Sequence, residues 1–157
     1  MISAGATIGK NCLIKSHAVM GEEGFGFELD DDGTPVRIPH LGSVVLGDEV
    51  EVGVGSIIAR GTIDPTRIGD RVKIDDAVFL AHNVNIGADT LVIANAEVSG
   101  SVTIGAKCWI GPSVSILNGI TIGEGSLIGL GAVVTKPVPP NVVVVGNPGR
   151  VLRPRVQ

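Results

Sequence analysis

A six-residue period constrains the fold of this chain more than any other feature of its sequence. Every sixth residue from Ile68 to Val134 is aliphatic, twelve times in succession. The residue that follows is often glycine, and the residue two places before is small or β-branched. The repeated glycines are Gly69, Gly87, Gly105, Gly111, Gly123 and Gly129. A fixed short period of this kind indicates a repeat architecture rather than a layered globular core.

Six residues are enough for one short strand and one corner, so three units predict a triangular coil of 18 residues. Successive coils would stack as parallel strands about 4.8 Å apart. No single coil can bury its own inner face, so stacking supplies the core. We expect the glycines to permit tight turns at the corners and the β-branched residues to favour the strands. The same phase holds upstream at Ile2, Ile8, Ile14, Met20, Leu46, Val52 and Ile58.

Two interruptions break the upstream phase. Residues 21–45 are predicted to form an inserted loop, and about four extra residues lie near 59–67. A domain of stacked coils, which includes the inserted loop, is predicted over residues 1–136. A capping segment is predicted over residues 137–157.

Composition fits this interpretation and narrows the functional classes. The chain has 157 residues, with 23 Gly, three Phe, one Trp and no Tyr, so aliphatic residues must supply its core. A net charge of −4 gives no reason to expect a nucleic-acid partner. Cys12 and Cys108 form no CxxC pair, which favours a reduced, cytoplasmic location; Cys108 is predicted to be inert core. Charges and glycines interrupt each apolar stretch, so no membrane span is predicted.

Stacked coils place equivalent residues in columns, and one column is polar. It contains Arg60, His82, Gly100, Asn118 and Lys136, of which the last four are each 18 residues apart. Histidine is the residue type in this column that titrates near neutrality, so His82 is the candidate general base. The backbone N–H of Gly100, one coil further on, could donate to an oxyanion. The alternative is that His82 is an ordinary surface residue at a corner.

Asp75 precedes His82 by seven residues and is predicted to orient its ring, with Asp76 as a neighbour. The alternative for both carboxylates is that they are solvated corner charges.

The repeat resembles the left-handed parallel β-helix of the hexapeptide-repeat acyltransferases, over residues 2–136. This resemblance implies an all-β fold with left-handed coils, an inserted loop and a short C-terminal cap. It also implies a homotrimer with active sites between the subunits.

Four stretches sharpen the resemblance: "EEGFGFELDDDG" (22–33), "VRIPHLGSVVLGDEVEVG" (36–53), "ARGTIDPTRIGDRVKID" (59–75) and "LAHNVNIG" (80–87). They look like the UDP-3-O-acyl-glucosamine N-acyltransferases of lipid A synthesis. The resemblance assigns the base to His82, its partner to Asp75 and the oxyanion donor to Gly100, and it makes acyl carrier protein a possible donor. The family's second histidine is missing near "ILNG" (116–119). Its uridine-binding N-terminal domain and C-terminal helical extension are expected to be absent.

The stretch "GLGAVVTKPVPPNVVVVGNPGRVLR" (129–153) instead resembles the end of acetyl-CoA-dependent hexapeptide acetyltransferases. Lys136 lies three coils beyond His82, or about 14 Å, a distance that a pantetheine arm covers. The alternative is that the terminal segment only covers the open end of the solenoid. The residues expected to contact the donor are Pro112, Asn118, Leu130, Thr135, Lys136, Arg150 and Arg153.

The acceptor pocket is predicted to be shaped by the inserted loop. Phe25 and Phe27 would stack on a sugar or a base, or alternatively pin the loop onto the helix. Arg60 and Asn83 are predicted to contact the substrate. His40 follows a proline and could reach the site of a neighbouring subunit.

The leading hypothesis is therefore transfer of an acetyl group from acetyl-CoA to the amine of a sugar, with a nucleotide-linked acceptor expected. The alternatives are N-acylation from acyl carrier protein and a non-catalytic assembly role. A γ-type carbonic anhydrase would need three histidines at repeat-related positions. Of the three histidines here, His82 alone lies in the regular block, so no metal is expected.

Overall fold

The computed structural model describes residues 1–156, which form short strands joined by corners, with no helix among them. Most strands contain two residues, as the six-residue period predicts for one edge of a triangular coil. The strands are β1 (Thr7–Ile8), β2 (Leu13–Ile14), β3 (Val19–Met20), β4 (Phe27–Leu29), β5 (Pro35–Arg37), β6 (Val44–Leu46), β7 (Glu51–Val52), β8 (Ile57–Ile58), β9 (Thr66–Ile68), β10 (Lys73–Ile74), β11 (Phe79–Leu80), β12 (Asn85–Ile86), β13 (Leu91–Val92), β14 (Glu97–Val98), β15 (Thr103–Ile104), β16 (Trp109–Ile110), β17 (Ser115–Ile116), β18 (Thr121–Ile122), β19 (Leu127–Ile128), β20 (Val133–Val134), β21 (Val142–Val145) and β22 (Arg150–Pro154).

The strands assemble into three parallel sheets that form the faces of a prism. The first face has the order β1-β6-β9-β12-β15-β18, the second β2-β7-β10-β13-β16-β19-β21-β22 and the third β3-β8-β11-β14-β17-β20. Consecutive strands of the chain lie on consecutive faces. Within the regular block each strand pairs with the strand 18 residues later, as in Ile104 with Ile122. The predicted triangular coil and its register are confirmed.

The aliphatic residues of the six-residue period form the core. All twelve members from Ile68 to Val134 are at most 4% exposed, and the small or β-branched residues two places before them are buried as well. Each buried isoleucine or valine side chain stabilises the stack by roughly 1.5–3 kcal/mol. Ile2 and Ile8 share the phase but are 49% and 37% exposed, because coils stack on only one side of the first one.

The repeated glycines serve coil spacing, which corrects the prediction that they provide the turns. None of them has a left-handed backbone; the left-handed residue comes two places later, as at Asp89 after Gly87 and Lys107 after Gly105. A Cβ on Gly87 would lie 2.4 Å from the nitrogen of Ala106, and one on Gly105 would lie 2.5 Å from that of Glu124. Coils less than 5 Å apart leave no room for a side chain that points along the prism axis.

The inserted loop ends slightly earlier than predicted. Val44 is 1% exposed and begins β6, whose Val45 pairs with Thr7 and Arg67, so residues 44–45 belong to the coil. Within the loop, β4 and β5 form an antiparallel hairpin.

The winding also continues beyond the predicted boundary at residue 136. The aliphatic period restarts at Val138, which bridges to Ile122, and β21 pairs in parallel with β19. Only β22 departs, by turning back antiparallel to β21. The guanidinium of Arg155 then donates to three carbonyl oxygens of earlier coils and anchors this end.

Candidate functional site

Both interruptions of the repeat occur at the same corner of the prism, the corner between the third and first faces. The loop runs from β3 to β6, and the shorter insertion, residues 59–65, runs from β8 to β9. The next coil brings His82 to this corner between β11 and β12. We call it the His82 corner. It includes Arg60, His82, Gly100, Asn118 and Lys136, each of which lies two residues after a strand of the third face.

The backbone register confirms the predicted polar column at this corner. Ile58 pairs with Leu80, which sets Arg60 level with His82. The amide of Ser101 donates to the carbonyl of His82 at 2.9 Å, and Gly119 donates to Gly100 at 3.0 Å. Among the column's side chains, Arg60 and His82 are half-buried, whereas Asn118 and Lys136 are exposed.

Asn83 fixes the orientation of the His82 ring. Its Oδ1 lies 3.1 Å from Nδ1 of His82 and also accepts from the amide and hydroxyl of Thr62, each at 3.0 Å. An amide N–H requires an acceptor, so the Thr62 amide identifies this atom of Asn83 as the oxygen. Nδ1 of His82 therefore carries the proton, and Nε2 of the neutral ring keeps its lone pair.

Asn83 also ties the short insertion to the His82 corner. Its Nδ2 donates to the carbonyl of Asp64 at 2.9 Å, and its own amide donates to the hydroxyl of Thr66 at 2.9 Å. Asn83 has a φ of 59°, a left-handed conformation that asparagine adopts more readily than most residues. The residue predicted to contact substrate thus supports the base and the insertion beside it.

Gly100 packs directly against the His82 ring. A Cβ at this position would lie 2.6 Å from both Cε1 and Nε2 of His82. Within residues 1–156 the Gly100 amide donates to no acceptor. The structure therefore brings together an imidazole nitrogen with a free lone pair and a free backbone N–H, the two groups that the sequence analysis paired.

His40 occupies a different place from the one predicted. It is 1% exposed and packs against His82 of its own chain, with ring centroids 5.2 Å apart and an interplanar angle of 70°. Its Nδ1 lies 3.1 Å from the carbonyl of Ile38. The prediction that it reaches a neighbouring subunit was wrong, because the loop folds back over its own corner. The sequence signal for this position is the six-residue period. It places Met20 on the third face and Leu46 on the first face, so the loop between them, with His40, belongs to the His82 corner.

The loop contacts both histidines through Gly24. A Cβ on Gly24 would lie 3.1 Å from Nε2 of His40 and 3.3 Å from Cβ and Cδ2 of His82. A Cβ on Gly26 would lie 2.7 Å from Cε1 of His40. Side chains at these two positions would displace the rings, so the glycines in "GFGF" let the backbone cover the site. Sequence reasoning considered the phenylalanines of this motif and missed its glycines.

Asp75 does not meet His82 within one chain. It follows β10 at the corner between the second and third faces, and its Oδ2 accepts from the amide of Ala94 at 3.1 Å. Its neighbour Asp76 accepts from the amide of Val54 at 2.7 Å. A separation of seven residues spans one edge of the coil, so it places two residues on adjacent corners. Asn83, not Asp75, is the partner of the His82 ring in this chain.

The residues expected to contact the donor divide into three groups. Asn118, Thr135 and Lys136 lie at or beside the His82 corner, and Pro112 and Leu130 lie at the Asp75 corner. Arg150 and Arg153 lie on β22. Lys136 and Arg150 line the same depression of about 230 Å³, between the last coil and β22.

The two phenylalanines of the loop differ in exposure. Phe27 is 36% exposed, and the guanidinium of Arg37 lies 4.8 Å from its ring centroid. Phe25 is 85% exposed, with its ring centroid 4.9 Å from that of Phe27. Beside them is a depression of about 320 Å³ that Glu22, Gly24 and Phe79 help to line. Phe27 thus packs within the hairpin, whereas Phe25 presents a free aromatic face.

Residues 1–156 contain no group of three or more His, Cys, Asp or Glu side chains arranged to hold a metal ion. No helix in this part of the chain has the length and apolarity needed to cross a membrane.

Comparison with known proteins agrees with the six-residue repeat. Residues 101–136 match the bacterial transferase hexapeptide family (six repeats). The chain is 44% identical over 108 residues to UDP-3-O-acylglucosamine N-acyltransferase of Bordetella pertussis. That match covers 67% of this chain and 30% of the relative, so the chain spans less than a third of that protein's length.

Solved structures agree in fold. UDP-N-acetylglucosamine acyltransferase from Bacteroides fragilis superposes with a TM-score of 0.83 at 20% identity, covering 96% of this chain and 56% of that one. A variant of perosamine N-acetyltransferase from Caulobacter crescentus, in complex with CoA and GDP-perosamine, gives a TM-score of 0.56 at 22% identity, covering 71% and 56%. The chain is therefore a left-handed parallel β-helix of hexapeptide repeats whose central part is similar to the UDP-3-O-acylglucosamine N-acyltransferases.

Proposed function

We propose that this chain transfers an acetyl group from acetyl-CoA to the amine of a nucleotide-linked amino sugar, with His82 as the general base. One observation carries the proposal: Asn83 holds Nδ1 of His82 at 3.1 Å, which leaves Nε2 free beside the unpaired amide of Gly100. A base with a fixed tautomer next to an oxyanion donor is what acyl transfer requires.

In the proposed reaction, the amine nitrogen attacks the thioester carbonyl carbon, and Nε2 of His82 takes the proton that the amine loses. The carbonyl π electrons move onto oxygen, and the Gly100 amide donates to this oxyanion. The tetrahedral intermediate then collapses, the C–S bond breaks and the amide product forms. The thiolate leaving group takes the proton back from His82.

The assignment of the donor to CoA draws support from the basic groups along the His82 corner. Lys136 lies three coils, or about 14 Å, from His82, and the pantetheine arm of CoA is long enough to join the two. Lys136 and Arg150 share one depression, and cations of this kind bind phosphates well. The perosamine N-acetyltransferase that shares this fold is described as a complex with CoA and a GDP-linked sugar.

The proposal includes a homotrimer with its sites between subunits. Pro112, Leu130 and Asp75 lie at the corner adjacent to that of His82, across the third face. An intersubunit groove that joins this corner of one subunit to the His82 corner of the next would unite them. A monomer in analytical ultracentrifugation would contradict this part of the proposal.

N-acylation from acyl carrier protein is the second candidate. The observation that favours it is the 44% identity to UDP-3-O-acylglucosamine N-acyltransferase, over stretches that include His82. His82 and the Gly100 amide would have the same roles, but the acyl group would come from a carrier protein instead of CoA.

Isothermal calorimetry with CoA distinguishes the two donors. Micromolar binding that weakens at least tenfold in Lys136→Ala supports the CoA assignment, and Lys10→Ala is the control because this exposed lysine lies at a different corner. Binding to acyl carrier protein, with none to CoA, supports the second candidate. A screen of amino-sugar nucleotides would then identify the acceptor, with His82→Ala as the inactive control. Failure of both donors across this screen would refute acyl transfer.

A further inference from the structure

The Nε2 atom of His40 is the one fully buried side-chain nitrogen or oxygen within residues 1–156 that has no hydrogen-bond partner. The ring's other nitrogen, Nδ1, faces the carbonyl of Ile38 at 3.1 Å and therefore carries the proton. A buried polar atom without a hydrogen-bond partner destabilises the folded protein. Such a group in a well-packed site calls for an explanation, and its surroundings provide one.

The position of this atom relates it to His82. Nε2 of His40 lies 3.1 Å from the point where a Gly24 Cβ would be, and Cδ2 of His82 lies 3.3 Å from the same point. The Nδ1–H end of the His40 dipole faces the carbonyl of Ile38, and Nε2, at the lone-pair end, lies beside the space between Gly24 and His82. A fixed dipole with its negative end near an imidazole favours the protonated form of that imidazole.

Charged groups on the neighbouring elements are engaged by other partners or exposed to solvent. Arg60 donates its Nε to the carbonyl of Gly21, and Glu22 accepts from the hydroxyl of Ser3. Glu23 pairs with Arg37 at 3.6 Å. On the short insertion the Asp64 side chain is exposed, and on the following coil Glu97 accepts from Ser99.

We infer that His40 is a positioning residue for His82: it packs edge to face against the ring and directs an unpaired lone pair toward it, which stabilises His82 while it holds the transferred proton. The inference rests on the proposed function for its purpose. Its physical content, an effect of one histidine on the other, holds in the protein without substrate.

Two substitutions separate the two nitrogens of His40. In His40→Gln, the side-chain Oε1 falls near the place of Nε2 and can supply the acceptor. In His40→Asn, the side-chain Nδ2 falls near the place of Nδ1 and keeps the donor to Ile38 without the lone pair. His17→Asn is the matched control, since His17 is an exposed histidine at another corner with a left-handed φ of 61°, which asparagine tolerates.

The first measurement is an NMR pH titration of the His82 imidazole in the free protein, after circular dichroism has shown that each variant folds. We expect His40→Asn to lower the titration midpoint by about 0.5 unit or more, a threefold change in proton affinity. His40→Gln and His17→Asn should stay close to the wild type. Equal midpoints in all proteins, or rescue by Asn and not by Gln, would overturn the inference.

The second measurement is acetyl transfer, where His40→Asn should lower kcat at least threefold with KM unchanged. A fall confined to KM would also contradict a role exerted through His82. If the wild-type protein transfers no acyl group, the proposed function fails, and the titration still decides whether His40 acts on His82.

Discussion

Replacement of Gly100 by alanine is the sharpest test of the site geometry. The added Cβ would lie 2.6 Å from Cε1 and Nε2 of His82 and 3.2 Å from Nδ1. Carbon atoms in contact settle about 3.5–4.0 Å apart, so the ring would have to move by about 1 Å. Gly100 does not have a left-handed φ, so alanine adds no backbone strain. The substitution therefore acts on the ring rather than on the coil.

A displacement of about 1 Å at the reacting group costs on the order of 100-fold in rate, which corresponds to about 2.7 kcal/mol. We expect kcat/KM of acetyl transfer to fall by about this factor. The rate is measured from the release of the CoA thiol. Overpacking should cost at most about 1–3 kcal/mol of unfolding free energy. Thermal unfolding would show that the variant remains folded at the assay temperature.

The control is Gly125→Asn, at the corner between the first and second faces. Gly125 has a φ of 66°, which asparagine tolerates, and Lys107, the equivalent residue one coil earlier, carries a side chain with a φ of 56°. This variant should keep activity within about twofold of the wild type. Activity of Gly100→Ala within threefold of the wild type would refute the assignment of Gly100 and His82 as one reacting unit.

Three further predictions concern Asn83, which supports the site, and Cys108, which lies in the core. Asn83→Ala removes the oxygen shared by Thr62 and His82 and the donor to Asp64. The free energy of unfolding should fall by about 1–3 kcal/mol, and the Thr62 amide should exchange faster with solvent. Unchanged exchange would show that other contacts hold the insertion. Burial raises the pKa of the Cys108 thiol; Ellman's reagent at pH 8 should therefore modify only half-buried Cys12 in the native protein and both thiols in guanidinium. Because that pKa is raised, the stability gained from the neutral thiol is complete below the unfolded-state value of about 8.5 and is lost as pH rises through the native value. Cys108→Ala should lessen this alkaline loss.

Several parts of the molecule followed from local sequence pattern alone. The spacing of six required one short strand per unit. Every sixth residue from Ile68 to Val134 is buried, as that spacing predicts. The position of Arg60 beside His82 followed from the same count. Once the four extra residues are assigned to the insertion, the strand register of the stacked coils fixes which residues are neighbours. Handedness did not follow from the period and came from similarity to known helices.

The role of the glycines and the partners of His82 depended on tertiary structure. The reason for glycine at Gly87 is a neighbour 19 residues away, the backbone of Ala106, which no local pattern specifies. Asp75 is close to His82 in sequence yet lies at another corner, while His40 is 42 residues away and packs against it. The repeat determines where the His82 corner is, since its spacing is local and periodic. The two irregular insertions determine what surrounds His82, since their contacts depend on how each loop folds back onto the coil.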